Sequence, residues 1–213
     1  MKSAAWPSLR RNLVAILRGV KLDEIAAIGE ALIEAGFEAI EIPLNSPDPF
    51  SSIATLAKVA PASVWIGAGT VLTGENVDRL HDAGGRLLVT PNVDAQVLAR
   101  AAHHKMVSMP GVLSPSEALL ALKCGASALK FFPASVIGAS GISAIKAILP
   151  QDCVIGAVGG VSETNFSEYM KIGVRAFGLG SSLYKPGFSA AEVSTRAAIS
   201  VAAYDLADRD RLK

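Results

Sequence analysis

Ala128-Leu129-Lys130-Phe131-Phe132-Pro133 is an apolar run that holds one lysine and ends in a proline. A continuous apolar run of about 4–8 residues bounded by a turn signal reads as a strand covered on both faces, the kind found in parallel sheets. Similar runs begin near residues 13, 39, 64, 87, 107, 154 and 176, so the intervals stay between 20 and 26 residues. Between them lie segments at helical spacing, such as Leu22, Ile25, Ile28 and Leu32 closed by Gly36. Helices are predicted over 21–35, 47–60, 74–83, 93–104, 114–123, 142–149, 162–172 and 190–207. Eight strand-then-helix units are the pattern of an α/β protein of the (β/α)₈ TIM barrel kind. A single barrel domain is predicted over 1–213, with a short N-terminal extension over 1–12 in which Trp6 sits in a short helix closing the barrel bottom. The competing architecture is an open doubly wound sheet. Regular spacing without a break favours closure.

Bulk composition narrows the function classes. Hydrophobic residues make up 51% and charged residues 18%, enough apolar material for a large core. With 20 basic and 19 acidic residues the net charge is +1, and no basic stripe suited to nucleic acid is present. Cys124 and Cys153 have neither metal-ligand nor disulfide spacing and read as reduced core residues. No apolar stretch of signal-peptide or membrane-span length occurs, which predicts a cytoplasmic protein without membrane partners.

Ionisable residues inside the apolar runs are few. Glu38, Arg86, Lys105, Asp152 and Arg175 precede their strands and belong to the solvated bottom rim. Only Arg18, Glu41 and Lys130 fall within a strand or at its carboxyl end, the end where this fold carries its active sites. Strand alternation puts Ile40, Ile42 and Leu44 on one face and Glu41, Pro43 and Asn45 on the other; Leu129 and Phe131 likewise oppose Lys130 and Phe132. If the aliphatic faces pack on helices, Glu41 and Lys130 point into the barrel. A lysine taken out of water loses part of its charge, and a neutral amine attacks carbonyl carbon. Two plainer readings stand beside this one: an ammonium reaching solvent from a strand end, and a buried Glu41–Lys130 ion pair.

Glycines mark the remaining strand ends. Gly67-Ala68-Gly69-Thr70 ends the third run, where Thr70 either caps the next helix or, with space cleared by two glycines, bonds a substrate. Asn92 reads as a helix cap. Gly159-Gly160 precedes the helix predicted from Ser162, and Gly178-Leu179-Gly180-Ser181-Ser182 ends the last run. Tight turns need glycine in any case. Glycines in both of these loops, where this fold most often holds phosphate, favour an anion site assisted by a helix amino terminus.

The runs Ala15-Ile16-Leu17-Arg18-Gly19, Glu41-Ile42-Pro43-Leu44-Asn45-Ser46, Gly67-Ala68-Gly69-Thr70-Val71-Leu72, Leu129-Lys130-Phe131-Phe132-Pro133, Val158-Gly159-Gly160-Val161 and Gly178-Leu179-Gly180-Ser181 resemble the class I 2-keto-3-deoxy-6-phosphosugar-acid aldolases, in order, over about residues 12–205. Within that family the likeness is closer to phosphogalactonate than to phosphogluconate members, which tend to have arginine where Asn45 stands and threonine where Val158 stands. The resemblance implies that Lys130 forms a Schiff base and Glu41 moves protons, that Thr70 holds a pyruvyl carboxylate and Arg18 clamps an anion. It further implies that Gly159, Gly160, Gly180 and Ser181 cradle phosphate, with Asn45 and Phe132 in the substrate-binding set. No cofactor or metal, a phosphorylated keto sugar acid and pyruvate as ligands, and a homotrimer are implied in the same way. Two rival functions fit the same barrel: a phosphosugar isomerase or epimerase using Glu41 as base, and a non-catalytic phosphosugar-binding protein. His103 and His104, at a helix end, read as surface residues.

Overall fold

Successive side chains of a strand face opposite sides of its sheet, so each apolar run here must satisfy two environments at once. The computed structural model describes residues 3–211. Its strands are β1 (Leu13–Ile16), β2 (Ala39–Pro43), β3 (Trp65–Gly69), β4 (Leu87–Val89), β5 (Val107–Met109), β6 (Gly111–Val112), β7 (Leu129–Phe131), β8 (Ile155–Val158) and β9 (Ala176–Leu179). Between them run α1 (Ile25–Ala35), α2 (Pro49–Val59), α3 (Gly74–Asp82), α4 (Ala95–His103), α5 (Pro115–Lys123), α6 (Ala134–Lys146) and α7 (Phe166–Lys171), with α8 (Ala190–Arg211) last. The pairings between neighbouring strands are parallel.

The sheet order is β5-β4-β3-β2-β1-β9-β8-β7-β6, and its two end strands are consecutive in the chain. Pro110 alone separates them. The expected fifth strand is therefore two short ones. Proline has no N–H to give a ladder, and the chain changes partner there: β5 pairs with β4 and β6 with β7, while the Pro110 carbonyl accepts from Lys130 N at 2.9 Å. The sheet closes into a (β/α)₈ barrel through that proline.

Each face then has its own core. Leu13, Ala15, Ile40, Ile42, Leu129, Phe131, Phe177 and Leu179 pack outward with the helices. Val14, Ala39, Leu87, Val89, Val107, Met109, Ala128 and Ala176 fill the lower barrel interior, with Ala4, Trp6 and Leu9 packed against them. The segment carrying Trp6 covers the barrel bottom without forming a helix: Ser3 N donates to Gly125 O (3.1 Å), Ala4 N to Met106 O (3.0 Å) and Trp6 Nε1 to Asn12 Oδ1 (2.8 Å). The extension's first two residues lie outside the described residues, as do residues 212–213.

Above that plug the interior is hollow. Glu41 sits in register between Ile16 and Gly67, and Lys130 between Gly111 and Gly156. A Cβ at Gly156 would lie 2.0 Å from Met109 Cε, so the lower plug already fills the room a side chain would need.

Several helices depart from expectation: α1 starts at Ile25 rather than 21, and α8 runs to Arg211 rather than 207. The helix after β7 starts at Ala134 and runs to Lys146, bent at Gly138 (φ 68), rather than spanning 142–149. The helix after β8 starts at Phe166, not near Ser162, and has 6 residues. Asp94, not Asn92, caps α4, through its side chain on Gln96 N and Val97 N. Cys124 and Cys153 are free thiols, half-buried rather than deep in the core. Among the described residues, no helix is long and apolar enough to cross a membrane.

Candidate active site

Three ionisable side chains from separate elements meet above the plug. Glu41 of β2 is 2% exposed and Lys130 of β7 is 7% exposed, while Arg18 stands exposed at the rim, just past β1. All three line one cavity of about 480 Å³, together with Phe132, Gly159, Gly160, Gly180 and Ser181. That volume lies within the usual range for small-molecule sites. Strand parity had placed Glu41 and Lys130 on the inner face, and both line the cavity.

Burial dominates the electrostatics. It pushes the Glu41 carboxyl up to about 7, against the opposing pull of Lys130 and Arg18. It also lowers the Lys130 amine below its ordinary value; Glu41 resists that shift and Arg18 adds to it. Lys130 Nζ lies 4.6 Å from the centroid of the Phe132 ring, within cation–π range. Among the described residues, Glu41 and Lys130 form no ion pair within 4.0 Å, and Glu41 Oε2 has no hydrogen-bond partner. A buried pair kept for structure would be joined and hydrogen-bonded. These two groups instead stand unjoined in the wall of one cavity, with Glu41 Oε2 buried against Gly69.

The sign of the pH effect on stability follows from Glu41. Its folded value, about 7, exceeds the unfolded carboxylate value of about 4.3. The contribution of the protonated form to folding is complete below the unfolded value and is lost as pH rises through about 7. Glu41→Gln should therefore be more stable than the parent at pH 8, by on the order of 2 kcal/mol, with the difference shrinking towards pH 4. Urea titrations at both pH values check this; a difference that does not grow with pH would contradict it.

Gly69 explains why the carboxylate can sit where it does. A Cβ there would lie 1.5 Å from Glu41 Oε2, and one at Gly67 would lie 1.8 Å from Leu87 O. The two glycines were expected to clear space around Thr70; they clear it for Glu41 and for the neighbouring strand. Gly69→Ala should displace Glu41 and cut kcat at least about 10²-fold, the lower end of what a general acid–base group supplies. Steady-state kinetics beside a thermal melt separate this effect from unfolding.

Thr70 and Asn45 lie apart from the cavity lining. Thr70 is half-buried at the end of β3, with φ 56, a left-handed conformation that β-branched residues rarely adopt. It caps no helix, since Thr73 accepts from Asn76 N at the start of α3. Asn45 is exposed and meets the site only through Arg18, whose Nη1 donates to Asn45 Oδ1.

The loops after β8 and β9, where the glycines were expected to hold an anion, line the same cavity. Gly159 (φ 88) and Gly160 (φ 77) have backbones in the left-handed region, and a Cβ at Gly160 would lie 2.5 Å from Ser135 Cβ. At Gly180 a Cβ would meet nothing within 4 Å. Packing thus demands glycine at 160 but not at 180, which lines the cavity. The expected helix dipole is not at this end: Ser162 N donates to Asn165 Oδ1 (3.1 Å) and Asn165 Nδ2 to Gly160 O (2.9 Å), in a turn ahead of α7. Ser162 and Ser182 also line the cavity. From sequence Ser162 was read as a helix start and Ser182 as the end of the last run, and neither was put in the binding set.

The histidines lie elsewhere. His81 and His104 stack with centroids 4.2 Å apart, and His104 Nε2 meets Asp78 Oδ1 at 2.7 Å. His103 is exposed and His104 half-buried.

The sequence profile of the KDPG and KHG aldolase family matches residues 8–209. The chain belongs to that family. Its members are aldolases, which are lyases. The chain is 62% identical over 199 residues to "Probable 2-dehydro-3-deoxy-6-phosphogalactonate aldolase" of Rhizobium meliloti (strain 1021), covering 93% of this chain and 94% of that protein. A solved structure described as "Native KDPGal structure" superposes with a TM-score of 0.94 at 43% identity, covering 96% of this chain and 99% of the other. KDPG aldolase from Legionella pneumophila, solved "with pyruvate captured at low pH as a covalent carbinolamine intermediate", has a TM-score of 0.78 at 26% identity, covering 91% and 92%.

Proposed function

We propose that this chain is a class I aldolase that cleaves 2-dehydro-3-deoxy-6-phospho-D-galactonate to pyruvate and D-glyceraldehyde 3-phosphate. The observation that carries the reading is a buried amine, Lys130, and a buried carboxyl, Glu41, opening into one cavity whose far side is lined by Gly159, Gly160, Gly180 and Ser181. The phosphogalactonate aldolase from Rhizobium supports the choice of substrate, and the pyruvate carbinolamine in the Legionella enzyme supports the covalent route.

The Lys130 amine attacks the 2-keto carbon, and loss of water gives an iminium. Glu41, as carboxylate, takes the proton of the 4-hydroxyl. The C3–C4 bond breaks, its electron pair flowing into the iminium to leave an enamine, and glyceraldehyde 3-phosphate departs. Glu41 returns its proton to C3, and water hydrolyses the resulting iminium to pyruvate and free Lys130. A group that gives and takes a proton in one cycle works best with a pKa near the operating pH, and Glu41 is held at about 7. Arg18 at the rim attracts the anionic substrate. Gly160, Gly180 and Ser181 receive its phosphate; for its carboxylate the resemblance implies Thr70, which stands outside the cavity lining at the end of β3. The chemistry requires no metal or cofactor.

The reading extends to a homotrimer, as the resemblance implies, and to the cytoplasm, as expected from sequence. Sedimentation velocity tests the assembly: a species of three 22.0 kDa chains is expected. Activity is tested by coupling pyruvate release to a dehydrogenase with the two C4-epimeric keto acids side by side. Faster turnover of the phosphogalactonate epimer is expected; faster phosphogluconate cleavage would reassign the substrate, and no pyruvate from either would refute the activity.

A further inference from the structure

Arg18 contributes its charge to both buried groups, yet it sits on an exposed loop where a long side chain would ordinarily wander. Two neighbours hold that loop. On one side Gly19 N donates to Ser46 Oγ at 2.9 Å, and Ser46 is buried. On the other a Cβ at Gly19 would lie 2.8 Å from Pro186 Cγ, so the loop lies tight against the segment before α8. The guanidinium itself donates through Nη1 to Asn45 Oδ1. Among the described residues, no carboxylate stands within 4.0 Å of it.

We propose that Asn45 is a positioning residue, a neutral tether that fixes Arg18 at the cavity rim without cancelling its charge. This inference rests on the reading of Arg18 and Lys130 given above. A carboxylate in the same place would hold the guanidinium more strongly, since charge-assisted bonds are roughly twice as strong as neutral ones. It would also use up the charge that the substrate anion and the buried amine both feel. The amide satisfies one of five guanidinium N–H donors and leaves the others free. The neutrality of the acceptor is therefore its functional property.

The test compares the wild-type chain with N45A and N45D, both at an exposed position that threatens no core packing. Releasing one immobilised side chain corresponds to about 2–10-fold in affinity, so N45A should raise KM for the phosphorylated keto acid by about that factor, with the larger change in KM rather than kcat. N45D should raise KM further. The charged groups acting on Lys130 are Glu41 and Arg18. With Arg18 neutralised, the pH midpoint for borohydride trapping of pyruvate should move upward in N45D, and stay in place for a substitution that merely loosens the loop. Three equal KM values, or an N45D that outperforms N45A, would overturn the role of Asn45 while leaving the aldolase reading intact. A wild-type chain that neither traps pyruvate nor cleaves the keto acid would overturn both.

Discussion

Replacing Lys130 with methionine is expected to lower turnover by at least about 10⁴-fold and to abolish any pyruvate adduct, because no other group in the cavity can act as the electron sink. The same variant should fold, and fold more stably. Methionine is apolar and similar in length, and Lys130 is 7% exposed with its charged form disfavoured by burial. At pH 5.5 Glu41, held up at about 7, is protonated and needs no cation beside it. Sites built for chemistry commonly give up stability to hold their groups. For a chain of this size each 1 kcal/mol regained raises Tm by about 2–4 °C, so a rise of a few degrees is expected at that pH. Loss of activity with an unchanged or higher Tm separates chemistry from misfolding. Residual turnover within 10-fold of the parent would rule out a covalent role.

Glu41→Gln is expected to cut kcat about 10²–10⁴-fold while the pyruvate adduct on Lys130 still forms, since the two residues serve different steps. Glutamine fills the same volume beside Gly69 but can neither take the 4-hydroxyl proton nor return one to C3. Full loss of adduct would move Glu41 into carbinolamine dehydration. Unchanged turnover would assign the base to another group, or to water. For the parent, the acid limb of kcat/KM should fall below about pH 7, where Glu41 protonates. Because Glu41 and Lys130 act on each other, that limb reports the pair and not either residue alone.

How far a residue could be read from sequence depended on whether its role is local or set by a distant neighbour. Glu41 and Lys130 were legible because strand alternation is local: once Ile40 and Ile42, or Leu129 and Phe131, commit to the helix side, the residue between them faces the barrel interior. The barrel was legible because its strand-then-helix units recur at near-constant spacing, a pattern each segment carries locally. The split at Pro110 was not, because which neighbour a broken strand pairs with depends on β4 and β7, remote in the chain. Gly69 was misread through the same blindness: its reason for being glycine is a carboxylate on an adjacent strand. A helix was expected from Ser162, directly after Gly159-Gly160. Asn165 instead takes the Ser162 N–H and the Gly160 carbonyl, and α7 begins only afterwards. Asn45 was grouped with substrate contacts, yet its one observed bond goes to Arg18.

The most direct test of an uncharged amine working inside this cavity is borohydride trapping with pyruvate, followed by peptide mapping of the intact chain. A single reduced pyruvyl adduct on Lys130, forming faster as pH rises and the amine loses its proton, is the predicted result. No adduct, or an adduct spread over exposed lysines with Lys130 unmodified, would contradict it.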